Sequence, residues 1–135
     1  MTRGKLALTV VVLLVVAVGL GFAWGASGRI SSQHALDEVK QQLDLAEARG
    51  HILEARVSLY NVNFGDAQRQ LDDAKAPLQR ARDRYQAAGK REAADNLSAA
   101  VAQVQEAQRL ASRLDQNANG KANEALNAIK VATSK

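Results

Sequence analysis

Residues 36–64 read LDEVKQQLDLAEARGHILEARVSLYNVNF. Leu36, Val39, Leu43, Ala46, Gly50, Leu53, Val57, Tyr60 and Phe64 recur at alternating spacings of three and four. On a helix of 3.6 residues per turn such positions lie on one stripe, the a/d seam of helix-on-helix packing. The pattern predicts a helix from Ser32 to Phe64 that buries this seam. Gly50 leaves a gap in the seam where another backbone can approach. Asn63-Phe64-Gly65 reads as the stop, because Gly is the usual residue just past a helix end. Asp66 is then placed to cap the next helix.

Downstream the same logic repeats. Ala67, Leu71, Ala74, Leu78, Ala81, Tyr85 and Ala88 predict a second helix over 66–88. Pro77 lies within it, and the seam keeps its phase across Pro77, so a kink is expected rather than a break. Ala93, Leu97, Ala100, Val104, Ala107, Ala111 and Leu114 predict a third helix over 90–114. Asn117-Ala118-Asn119-Gly120 reads as a turn, followed by a short fourth helix over 121–132 with Ala122, Leu126 and Ile129 inward. Short connections favour antiparallel neighbours. The first two helices should form a hairpin about Gly65, with residues near 47 opposite those near 83 and residues near 38 opposite those near 92. Asp37, Glu38, Asp44, Glu47 and Glu54 make the first helix acidic, and Lys75 to Arg91 make the second basic, which supports that pairing. The expected fold is all-α: an N-terminal transmembrane helix followed by an antiparallel bundle of three to four helices.

The transmembrane expectation comes from Leu6 to Trp24, which contains no charged residue. At about 1.5 Å per residue the run spans about 28 Å, close to the hydrocarbon thickness of a bilayer. Its length exceeds the apolar region usual in a cleaved signal peptide, the competing reading. Arg3 and Lys5 precede it, which favours a cytoplasmic N-terminus. The expected organisation is a cytoplasmic tail and anchor over 1–25, a flexible joint over 26–31 and an extracytoplasmic helical domain over 32–135. In a Gram-negative cell that means a single pass through the inner membrane and a periplasmic domain. Ala17, Gly21 and Gly25 form a small-residue face at four-residue spacing, a candidate packing face inside the bilayer.

Composition narrows the function. There is no Cys, so disulfides and thiolate chemistry are excluded. Aromatics make up 4% and Ala is abundant, so a core built from this chain is thin in buried area. The net charge is +4, and Arg3 and Lys5 supply two of those positives; the remaining basic residues nearly balance the acids. That is not the basic face nucleic acid requires. His34 and His51 lack the spacing of a helical zinc site. Asp72 and Asp73 are adjacent and so point to different faces of a helix. No nucleophile turn and no glycine-rich phosphate loop is present. No enzymatic activity, cofactor or metal is expected.

Two interaction signals remain. Lys75, Arg80, Arg82, Arg84, Lys90 and Arg91 stand against one acid, Asp83. They read either as a dock for an anion, a lipid surface or an acidic partner, or as internal partners of the acidic first helix. The segment from Ala55 to Ala74, with Tyr60, Asn63-Phe64-Gly65 and the series Ala55, Ala67, Leu71, Ala74, resembles a tetratricopeptide helix pair. It departs from that family in having Ser58 where an aromatic stands and in the position of Pro77. The resemblance implies a protein-binding scaffold. The expected function is therefore a membrane-anchored interaction module, a scaffold or accessory subunit with protein partners or with itself. A sensor bundle or a lipid-binding protein acting through the basic segment are the alternatives.

Overall fold

The computed structural model describes the backbone of residues 3–134 and the side chains of residues 32–134. The described residues form four α-helices and no strand: α1 (Arg3–Tyr60), α2 (Phe64–Ala87), α3 (Arg91–Ser112) and α4 (Ala118–Thr133). The chain divides into two compact units, Met1–Glu38 and Val39–Lys135. The backbone of α1 is helical through 26–31, where the sequence reading places a flexible joint. Among the described residues, no helix is long and apolar enough to cross a membrane. The expected anchor over Leu6–Trp24 and the packing face of Ala17, Gly21 and Gly25 lie outside the described side chains.

In the second unit, the last part of α1 and helices α2 to α4 share one core. Leu45, Ala48, Ile52 and Ala55 of α1 meet Leu71, Ala74, Leu78 and Ala81 of α2, Leu97, Ala100 and Val104 of α3, and Ala122, Ala125 and Ile129 of α4. A second cluster at one end joins Leu59, Phe64, Ala67, Ala111 and Ala118. Alanine fills more than half of the buried apolar positions. Along α2, small and large residues alternate as Ala67, Leu71, Ala74, Leu78, Ala81 and Tyr85. Pro77 lies inside α2 and is fully buried, so the helix runs through it and the ring is part of the packing.

Three connections turn the chain by one device. Val62 N–H donates to the Leu59 carbonyl (3.1 Å) and Asn63 N–H to the Ser58 carbonyl (2.8 Å). Gly89 and Lys90 repeat this on Gln86 and Tyr85, and Leu114 and Asp115 repeat it on Ala111 and Leu110. Each pair satisfies carbonyls that the helix end leaves without a partner, and it requires one left-handed residue. That residue is Gly89 (φ 74°) after α2, but Val62 (φ 60°) after α1 and Leu114 (φ 58°) after α3.

These turns correct several sequence expectations. α1 stops at Tyr60, Gly65 sits inside α2, and Phe64 is the buried first residue of α2. Asn63, not Asp66, caps α2: its side chain accepts the Asp66 N–H. Asp66 instead accepts a hydrogen bond from Ser58 Oγ at 3.1 Å and pairs with Arg69. The expected turn at 117–120 lies earlier, with Ala118, Asn119 and Gly120 already helical. Leu114 and Ala88, expected inside the seams of the third and second helices, are both exposed. In both cases the helix ends before the seam position.

Candidate functional site

The largest departure concerns α1. The predicted inward seam faces away from the bundle: Val39 is 62% exposed, Leu43 65%, Leu53 50%, Val57 61% and Tyr60 81%. Ala46 is also exposed and Gly50 half-buried; in the other unit, Leu36 is exposed. The buried face is a second set, Leu45, Ala48, Ile52, Ala55 and Leu59, which has the same alternating spacing. At about 100° per residue, the centres of the two stripes lie about 150° apart around the helix. α1 therefore carries an apolar face on each side, and the bundle uses one.

Polar flanks hold α1 in this orientation. On the side of α2, Arg80 Nε donates to Asp44 Oδ1 (2.8 Å) and Arg84 Nε to Asp44 Oδ2 (3.1 Å). Arg80 also reaches Glu47 Oε2 at 3.0 Å. Asp44 is buried, so its charge is held in place by two guanidinium groups. The hydrogen bond to Asp44 raises the pKa of Arg80 further above the ordinary arginine range. His51 Nδ1 lies 3.0 Å from Gln70 Oε1. On the side of α4, Arg49 donates to Thr133 Oγ1 (2.9 Å) and Arg56 to Asn119 Oδ1 (2.8 Å). These contacts make α1 antiparallel to both neighbours. The hairpin pivots near residue 62, not 65, so the expected pairing of residues near 47 with those near 83 is shifted: Glu47 meets Arg80 instead.

The six cations singled out in the sequence do not form one surface group. Arg80 and Arg84 serve α1 as described. Lys75 bridges Asp72 (2.5 Å) and Gln108 of α3 (3.1 Å). Arg82 pairs with its neighbour Asp83 at 2.7 Å. The Lys90 ammonium stands 5.7 Å from the centre of the Tyr85 ring. Arg91 is exposed and, with Arg82, Gln86, Asp95 and Ser98, lines a groove between α2 and α3. The hydrogen bond from Lys75, helped by Gln108, lowers the Asp72 pKa below the usual carboxylate range.

Among the described residues, no group of His, Asp and Glu side chains is arranged to hold a metal ion. Every buried side-chain nitrogen and oxygen among them has a hydrogen-bond partner. Among the described side chains, the outward stripe of α1 is the longest apolar row that the fold itself leaves uncovered. Beside it an open groove is lined by Leu53, Glu54, Val57, Ser58, Asp66 and Gln70. Periodicity alone marks the residues of this stripe and places them in the core. The inward set is instead Leu45, Ile52 and Leu59 with the alanines between them, and Asp44 ties this face to α2. The signal for both was present, as a second run at the same spacing with an acid on its flank. Comparison of the chain with protein-family models, with curated proteins and with solved structures yields no match.

Proposed function

We propose that this chain is a membrane-anchored helical interaction module that holds the outward stripe of α1 ready for another polypeptide. The observation that carries the reading is the row Val39, Leu43, Leu53, Val57 and Tyr60, each at least half exposed on one face of a helix whose other face is already buried. Isolated exposed apolar residues are ordinary, but a contiguous row of them marks a contact surface. The spacing fits a second helix better than a flat surface, since a and d positions are what knobs-into-holes packing needs. Tethering by the apolar run over Leu6–Trp24, with the bundle on the extracytoplasmic side, is part of the same proposal and rests on Arg3 and Lys5 before that run. The tetratricopeptide-like residues Ala55, Ala67, Leu71 and Ala74 are all fully buried between helices. They are compatible with a scaffold and leave the contact to α1. The basic segment supports a lipid or anion dock less well, because Arg80 and Arg84 are engaged by Asp44.

The test places a photo-crosslinking side chain at Leu43 or, as a control, at Asp73 of the full-length chain in its native membrane. A discrete protein adduct from position 43 and none from 73 is expected. Equal labelling at both positions, or none at either, overturns the interaction reading. Membrane fractionation of the same cells checks the anchor: recovery of the chain in the soluble fraction overturns the tether. Protease treatment of spheroplasts checks its orientation, and protection of the bundle until lysis reverses it.

A further inference from the structure

We infer that the occupant of the α1 stripe is a second copy of this chain, joined as a parallel, in-register two-stranded coiled coil over Val39–Tyr60. This inference rests on the interaction reading above and adds the partner, its direction and the residues that set it.

With Leu43, Gly50 and Val57 at a, and Val39, Ala46, Leu53 and Tyr60 at d, the e positions are Lys40, Glu47 and Glu54, and the g positions are Gln42, Arg49 and Arg56. The structure fixes where these flanks point. Glu47 is on the α2 side, against Arg80, and Arg49 and Arg56 are on the α4 side, against Thr133 and Asn119. The a/d face between them is uncovered.

Charge then selects the orientation of the partner. In a parallel pair a g residue faces the e residue five positions later on the other strand, and such pairs set partner and direction. Arg49 then faces Glu54 of the second copy, twice by symmetry, and Gln42 faces Glu47 without conflict. In an antiparallel pair g faces g and e faces e, so Arg49 and Arg56 oppose each other, as do Glu47 and Glu54. The charges of this helix thus suit a parallel copy of itself and disfavour an inverted one. The contact of Arg49 with Thr133 does not prevent the pairing, since a guanidinium carries five N–H donors. Ala46 and Gly50 are successive seam positions, and a Cβ added at Gly50 meets no atom within 4 Å, so the space over the middle of the seam is open. Two small layers there let the two backbones come close.

The seam is about 32 Å long, which is three heptads. A coiled coil of that length with a glycine layer is weak between free molecules. Two chains anchored in one membrane meet at a high effective concentration and in the parallel sense, so the anchor and the seam reinforce one another.

The absence of Cys makes the test direct. Full-length Leu43→Cys, Val57→Cys and Asp73→Cys chains are oxidised in isolated membranes. Same-position a residues of a parallel dimer fall within disulfide reach, about 4.4–6.8 Å between Cα atoms. The expected result is a disulfide dimer from positions 43 and 57 and none from 73. Glu54→Arg should reduce the crosslinked fraction about fivefold, and the Arg49→Glu, Glu54→Arg double variant should restore it, because the pair is exchanged rather than removed. Three results overturn the proposal. Leu43→Cys chains that crosslink only to Leu53→Cys or Tyr60→Cys chains mean an antiparallel dimer, in which an a residue faces a d residue. Absence of homodimer, with a foreign adduct still formed by the photo-crosslinker at position 43, means another protein fills the stripe and the interaction reading survives. Absence of both removes the two readings together.

Discussion

Helices α1 and α3 have similar raw material and different fates. α3 carries one apolar seam, Leu97, Ala100, Val104, Ala107 and Ala111, and the bundle buries all of it. α1 carries two seams of the same spacing, and the bundle buries Leu45, Ala48, Ile52, Ala55 and Leu59 while Val39, Leu43, Leu53, Val57 and Tyr60 remain outside. The buried seam of α1 alternates large and small residues and fits between neighbours that are themselves rich in Ala. The outer one is bulkier at its ends and has no counterpart in the fold. A helix apolar on both sides needs two partners, whereas one with a single seam needs one. α3 thus spends its seam inside the bundle, whereas α1 keeps a second seam outside it, the one proposed above as the contact surface.

The sharpest way to break this contrast is to compare neighbouring positions on the two faces of α1. Ile52 is fully buried and Leu53 is half exposed. Ile52→Ala should destabilise the bundle by about 2–5 kcal/mol, as Leu97→Ala in α3 should, while Leu53→Ala should stay within about 0.5 kcal/mol. Denaturant unfolding under conditions that keep the chain monomeric measures both. Equal losses at 52 and 53 would mean that the stripe is part of the core.

A second, smaller effect tests why α1 turns the face it does. Asp44→Ala leaves Arg80 and Arg84 without their shared carboxylate and should cost about 1–3 kcal/mol. The range is set below that of a fully buried pair because both guanidinium groups are partly in solvent. The Arg80→Ala and Asp44→Ala double variant should lose less than the sum of the singles. Strict additivity would mean that the pair does not orient the helix.

The third concerns a point the two helices share. Val62 and Leu114 hold the left-handed position after α1 and α3, where α2 uses Gly89. The left-handed region costs an L-residue about 1–2 kcal/mol. Val62→Gly and Leu114→Gly should each raise the unfolding free energy by about 1 kcal/mol, less the entropy a glycine adds to the unfolded chain. Gly89→Ala should lower it by a similar amount. A loss at Val62→Gly would show that the exposed Val side chain makes a stabilising contact.

The smallest effect is Gly50→Ala. Nothing lies within 4 Å of a Cβ there, and the position is in a helix interior, so the monomer should gain about 0.5–1 kcal/mol. A loss in the monomer would mean that the stripe side of α1 is crowded rather than open.

Much of this architecture was legible in the residues themselves. Local spacing determines four helices, because a 3.6-residue period leaves a visible mark wherever one face is apolar. In α2 the seam Ala67, Leu71, Ala74, Leu78, Ala81 and Tyr85 was read residue by residue, since only one set of positions fits. The acidic character of α1 and the basic character of α2 announced that these helices lie side by side, although the pivot at Val62 shifted the register. Val62 and Leu114 could not be read as turn residues, because their left-handed conformation is imposed by the helices they join and runs against their own preference. Tertiary structure alone decided which face of α1 is inside. Both faces satisfy the helical period, so periodicity is silent between them. The choice falls to contacts distant in sequence: the fit of Ile52 and Leu59 among alanines of other helices, and the Asp44 carboxylate between Arg80 and Arg84.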